Sequence, residues 1–123
     1  MIEEAFVSFD IAKRLKEKGF NEECFGYYNR DGQIDTTFGR WYNDAFIIGS
    51  YVAAPTQQMA MRWLREQKGI FIAINLTRDG KNYEIDIYKD GRFYAAAYED
   101  MEFQTYELAV GFGLLYVLTE MDI

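Results

Sequence analysis

Glu84 and Asp86 stand two residues apart in a run of alternating side chains, so a strand would carry both carboxylates on one face. Asp100 and Glu102 follow a little further on. Paired carboxylates can serve as general acid and base, as in glycoside hydrolysis, if their surroundings separate their proton affinities. Nothing in the sequence supplies the pocket this needs. Charges that keep a solvated sheet face soluble are the simpler reading. Composition closes most other routes to catalysis. The chain has no His, the commonest general acid-base and metal ligand, which excludes Ser-His-Asp and Cys-His arrangements. One Cys without His leaves no closed zinc site. Phosphate-cradling glycine motifs are absent, and Asp31-Gly32 and Asp79-Gly80 lack the ligand spacing of calcium loops. We expect no catalytic residue, no metal and no cofactor, and lean against an enzyme.

Two places have the chemistry of binding. Phe38-Gly39-Arg40-Trp41-Tyr42 gathers aromatic residues around one Arg. Arg40 and Trp41 are residue types that dominate protein interfaces, although the segment could equally cover a core. The second place is the solvent face of a predicted meander, where Tyr88, Tyr94 and Tyr98 join Glu84, Asp86, Phe71, Ala73, Asn75 and Ala96. Aromatic sheet faces contact partners or stack bases, but base stacking goes with positive charge, which is missing here. Cover by residues 25–53, a second subunit or a separate partner could each occupy this face. Cys24, beside Glu23, reads as structural, because acidic neighbours blunt a thiol.

These residues must be positioned by a small set of elements. Ser8 caps a helix over Phe9 to Lys18 with Phe9, Ala12 and Leu15 on one side, and Gly19 stops it. Residues 21–54 read as strand pieces: Cys24 to Asn29, Ile34 to Trp41, and Ala45 to Ala53. Thr56 caps a second helix with Met59, Ala60, Trp63, Leu64 and Gln67 on its apolar side. Then come three strands, Ile70 to Thr77, Asn82 to Lys89 and Arg92 to Tyr98, joined by Arg78-Asp79-Gly80-Lys81 and Asp90-Gly91. Asp-Gly between alternating apolar runs is a hairpin signal. Ile70, Ile72, Ile74, Tyr83, Ile85, Ile87, Phe93, Ala95 and Ala97 should face the core. Thr105 caps a last helix, apolar all round and so buried on more than one side, with Gly111 and Gly113 allowing close approach. The fold class this implies is α+β: an antiparallel sheet built around a three-stranded meander, with helices packed on one face in two layers. At 123 residues it reads as a single domain, 1–123.

The net charge of -7 disfavours duplex nucleic acid and anionic membranes, since both need a basic surface. Lys13, Arg14, Lys16 and Lys18 form the densest basic run, and a solvated helix face accounts for them. Acidity suits a basic protein partner or mimicry of nucleic acid. A lone Cys, the acidic start Met1-Ile2-Glu3-Glu4 and an apolar run that ends at Leu118 lead us to expect a cytoplasmic protein.

Three stretches carry a resemblance. They are Val7-Ser8-Phe9-Asp10-Ile11-Ala12-Lys13 with Leu15 to Phe20, Ala54-Pro55-Thr56-Gln57 with Met61-Arg62-Trp63-Leu64-Arg65-Glu66, and Thr105-Tyr106-Glu107-Leu108-Ala109. The chain resembles small uncharacterised proteins associated with bacteriophages and mobile elements of gut bacteria. The resemblance implies an α+β fold and that setting, and implies no activity; the Gly-containing, wholly apolar last helix departs from the group's more amphipathic form. The expected function is therefore that of a non-enzymatic accessory protein acting through protein contact or self-association. The alternatives are an acidic mimic that binds a host DNA-binding protein, and a small enzyme using Glu84 and Asp86.

Overall fold

A computed structural model describes residues 2–37, 39–45 and 49–123. The chain divides into two compact units, Met1–Ala60 and Met61–Ile123.

In the first unit, Ser8 caps α1 (Phe9–Glu17) by accepting from the Ile11 amide at 3.2 Å. Gly19 turns the chain at φ +95°, and Phe20 folds back to be buried, its amide bonding the Leu15 carbonyl at 2.9 Å. α1 packs on β3 (Val52–Ala54), which pairs with β1 (Gly26–Tyr28); β1 also pairs with β2 (Ile34–Asp35), giving an antiparallel sheet of order β2-β1-β3. The β1–β2 turn is held by Asn29, whose Oδ1 accepts from the amides of Asp31 at 2.9 Å and Gln33 at 3.1 Å. This is the local side-chain chemistry that makes Asn a turn residue.

Two strand expectations are corrected here. The strand expected over Ile34 to Trp41 stops at Asp35, whose own Oδ1 accepts from the Thr37 amide at 2.9 Å and turns the chain; pairing resumes only in a bridge between Trp41 and Cys24. Of the strand expected over Ala45 to Ala53, residues 46–48 lie outside the described residues, Gly49 and Ser50 form a turn, and β3 starts at Val52. Asn43–Ala45 form a 3-10 turn instead. Its anchor is the buried Asn43, which donates to the Phe20 carbonyl at 2.7 Å and accepts from the Ala53 amide at 2.8 Å. A buried amide satisfied on both ends specifies this local path more firmly than β propensity does.

α2 (Gln57–Lys68) begins where Thr56 Oγ1 accepts from the Met59 amide at 3.2 Å. Ala60, Met61, Trp63 and Leu64 are buried. Gln67, expected on that side, is exposed in the last turn, and Met61 belongs to the buried arc instead.

In the second unit, β4 (Ile70–Leu76), β5 (Tyr83–Lys89) and β6 (Arg92–Ala97) form an antiparallel meander, as the sequence indicated. The β4–β5 turn is tied by Asp79, which accepts from the Thr77 hydroxyl at 2.6 Å and the Lys81 amide at 3.0 Å. These bonds hold its carboxyl below the usual carboxylate range. α3 (Tyr106–Glu120), capped by Thr105 through a 3.0 Å bond from the Leu108 amide, packs on β4 and β5. The fold is α+β. Its strands form two three-stranded sheets rather than one.

Gly113 sets the distance of α3 from its sheet. A Cβ built there would lie 2.8 Å from Ile72 Cγ2 and 3.4 Å from Ile85 Cγ2. Both methyls sit on stiff, β-branched side chains. Alanine would add helix propensity of about 1 kcal/mol, but overpacking costs about 1–3 kcal/mol. Gly113→Ala is expected to lower stability by about 1 kcal/mol in urea unfolding. In an Ile72→Ala background, where the clashing methyl is gone, the same change should become stabilising.

Candidate functional site

The site is built on the face of the meander opposite α3. Asp90 and Gly91 form the β5–β6 turn with φ of +50° and +81°, the left-handed pair of a two-residue type I′ hairpin. This turn sets Lys89 opposite Arg92 and Tyr88 opposite Phe93. Further along, Ile87 pairs with Ala95, so one residue of β6 is extra, and the register shifts in a bulge between Ile87 and Tyr88. Phe93 and Tyr94 thus both stand against Tyr88, on its side of the sheet.

Phe93 was expected in the core, and the bulge overturns this. From β4, Phe71 is opposite Tyr88. The Phe71 and Tyr88 rings meet edge to face at 6.3 Å, and those of Tyr88 and Phe93 at 5.8 Å. A row of three rings therefore crosses all three strands in favourable geometry. Phe71 is 49% exposed, Phe93 60% and Tyr94 47%.

The same face continues with Ala73, Asp86 and Ala96 in one row and Asn75 and Glu84 in the next. Asn75 Nδ2 donates to Asp86 Oδ2 at 3.0 Å and orients that carboxylate. Glu84, Asp86 and Glu99 line a hollow of about 90 Å³ together with Ile85, Ala96, Ala97, Tyr98 and Met101. Clefts that enclose small-molecule substrates hold about 300–1,000 Å³. The hollow therefore suits one small group, and the face as a whole suits contact.

Tyr98, a binding candidate from its place in the alternation, is among the residues that line the hollow, but its ring is held by α3. The chain turns over residues 98–101, with the Tyr98 carbonyl accepting from the Met101 amide at 2.8 Å, and Tyr98 takes φ +52°. Its ring packs edge to face on Phe112 at 5.6 Å and Tyr116 at 5.8 Å, both on α3. Burial, with Glu120 and Tyr116 nearby, pushes its phenol up. Of the candidates, the structure brings together Tyr88, Tyr94, Glu84 and Asp86 with Phe71, which the alternation also placed on this face, and sets Tyr98 beside the hollow. It adds Phe93 and Glu99.

Arg40 and Trp41 belong to the first unit. Arg40 Nε pairs with Glu23 Oε1 at 2.9 Å, and its guanidinium lies 5.8 Å from the Phe25 ring centre. Trp41 is half-buried; its backbone bridges to Cys24, and its ring lies 4.7 Å from that of Tyr27. Both have structural contacts, and Phe38 lies outside the described residues. The basic run of α1 is likewise divided among contacts. Arg14 pairs with Asp10 at 2.9 Å, Lys13 lies 4.4 Å over the Phe9 ring, and Lys16 donates to the carbonyls of Gly49 at 3.0 Å and Tyr51 at 3.1 Å.

No protein family, curated protein or solved structure matches the chain. Among the described residues, no helix is long and apolar enough to cross a membrane.

Cys24 is buried, and burial, with Glu22 and Glu23 adding to it, pushes the thiol up to about 12. The thiolate is the reactive form. A thiol-specific reagent at pH 8 is expected to leave the folded protein almost unlabelled and to label it fully once urea unfolds it. Rapid labelling of the native state would show that Cys24 is accessible.

Proposed function

We propose that the protein acts by contact with another protein, without chemistry of its own, through the outer face of β4, β5 and β6. The observation that carries this reading is the row of Phe71, Tyr88 and Phe93, extended by Tyr94. Large exposed rings are costly to leave in water, and a contiguous group of them on a rigid sheet is the usual anatomy of a contact surface. Aromatic anchors concentrate binding energy there. The carboxylates beside them add selectivity for a basic partner. Self-association through the same face is the nearest competitor, and an acidic decoy for a DNA-binding protein is one form the basic partner could take. The resemblance to phage and mobile-element proteins is the setting we propose for this role. A reducing cytoplasm is the compartment that suits an unpaired Cys24.

Phe93 is mostly solvent-facing, so Phe93→Ser should change stability by no more than about 1 kcal/mol. The same change, alone or with Tyr88→Ser, is expected to abolish capture of a stoichiometric partner from native host lysate, or concentration-dependent dimerisation in sedimentation equilibrium. A chain that stays monomeric and captures the same proteins with and without Phe93 would sink the proposal. Loss of capture at moderate salt, with a basic DNA-binding protein as the species lost, would select the decoy form.

A further inference from the structure

The first unit carries a cleft of about 610 Å³, lined from α1, the β1–β2 turn and the residues that lead into β3. Small-molecule sites hold about 300–1,000 Å³. Lys13, Lys16 and Arg30 line the cleft against one carboxylate, Glu17. A chain of net charge -7 is therefore locally positive here. Phe9 and Val52 supply apolar wall, and Gly49 and Ser50 complete the lining.

The cations are held in place by neutral groups. Lys16 Nζ donates to the carbonyls of Gly49 at 3.0 Å and Tyr51 at 3.1 Å, which leaves one of its three protons for another acceptor. Lys13 Nζ lies 4.4 Å over the Phe9 ring. Arg30 stands in the turn that Asn29 Oδ1 holds. Gly32 of that turn is so close to α1 that an added Cβ would lie 2.8 Å from Phe9 Cδ2. None of the three cations makes an ion pair among the described residues, whereas the neighbouring Arg14 has Asp10 at 2.9 Å. Lys13 and Lys16 are also three residues apart on α1, where like charges are neighbours and repel. Two separate observations thus point to an anion: positioned cations without a counter-charge, and a concave space of ligand size beside them.

We propose that this cleft binds a small phosphate monoester whose organic part is apolar. Phosphate suits these cations because its oxygens accept from several directions at once, and the arginine fork can bond two of them. The cleft has the volume of about twenty water molecules, at about 30 Å³ each, far more than inorganic phosphate displaces. Phe9 and Val52 make the remaining space suited to an apolar group. The site belongs to the first unit and does not rest on the contact reading of the meander.

The probe is 2-naphthyl phosphate, with inorganic phosphate and 2-naphthol as controls for the charge alone and the ring alone. Each is titrated into the full chain at physiological ionic strength and followed by amide chemical shifts, which also report that each variant is folded. The ester is expected to shift residues 9–17, 30–32 and 49–52 and to bind about tenfold more tightly than either control. Lys13 and Arg30 are exposed, so the double variant Lys13→Gln, Arg30→Gln should stay folded and lose at least about tenfold in affinity for the ester. Shifts scattered over other lysines, or an ester bound no more tightly than inorganic phosphate, would show nonspecific anion contact and overturn the inference. Unchanged affinity in the folded double variant overturns it as well. The Phe93→Ser change should leave binding of the ester as it is.

Discussion

A two-residue turn and a buried sheet face make incompatible demands on β6, and their settlement shapes the surface. The Asp90-Gly91 turn requires Tyr88 to face Phe93, because a type I′ hairpin leaves no freedom in how its flanking residues pair. The core requires Ala95 and Ala97 to share the side of Ile87 and Ile85, where Ala97 is buried. Strict alternation would then place Phe93 in the core as well, and both demands cannot be met without an extra residue. The bulge supplies that residue. It costs one rung of the ladder and turns two adjacent aromatic side chains to the outside.

The opposite side of the sheet shows why the core demand prevails. α3 packs on β4 and β5, with Gly113 against Ile72 and Ile85, and the small Ala95 and Ala97 of β6 pair beside Ile87 and Ile85. A phenylalanine in that layer would push the helix away from methyl groups it already touches. Interiors are packed too densely to absorb a ring without strain. Tyr98 and Phe103 close the layer at its other end, each packed on Phe112 of α3. The unusual backbone of Tyr98 is thus part of how α3 is seated.

Charge organises what is left outside. With no His available, the protein carries its polar chemistry in carboxylates and in the cations of surface pairs such as Arg40–Glu23 and Arg62–Glu66. Those cations are engaged locally, whereas Glu84, Asp86 and Glu99 are left with a neutral amide and a small hollow. An acidic patch beside exposed rings repels nucleic acid and attracts basic protein. The reading offered for the function follows from that asymmetry.

Much of this was legible in the residues alone. Ser8, Thr56 and Thr105 marked their helix starts, the two Asp-Gly turns marked the meander, and alternation marked Ile70, Ile72, Ile85 and Ile87 as core, because each signal acts over a few neighbouring residues. The pairing of Tyr88 with Phe93 was also present, in the length of the turn; alternation within β6 pointed the other way and misled. The place of residues 34–54 was not legible. The bonds that decide it join Asn43 to Phe20 and Ala53, and no local pattern announces a contact between residues so far apart in the chain. The α+β class, the three helices, the meander and the absence of histidine chemistry therefore belong to the sequence. The outward turn of Phe93, the inward turn of Tyr98 and the union of Glu84, Asp86 and Glu99 in one hollow belong to the tertiary structure, because each is settled by packing between strands and helix that local preference does not see.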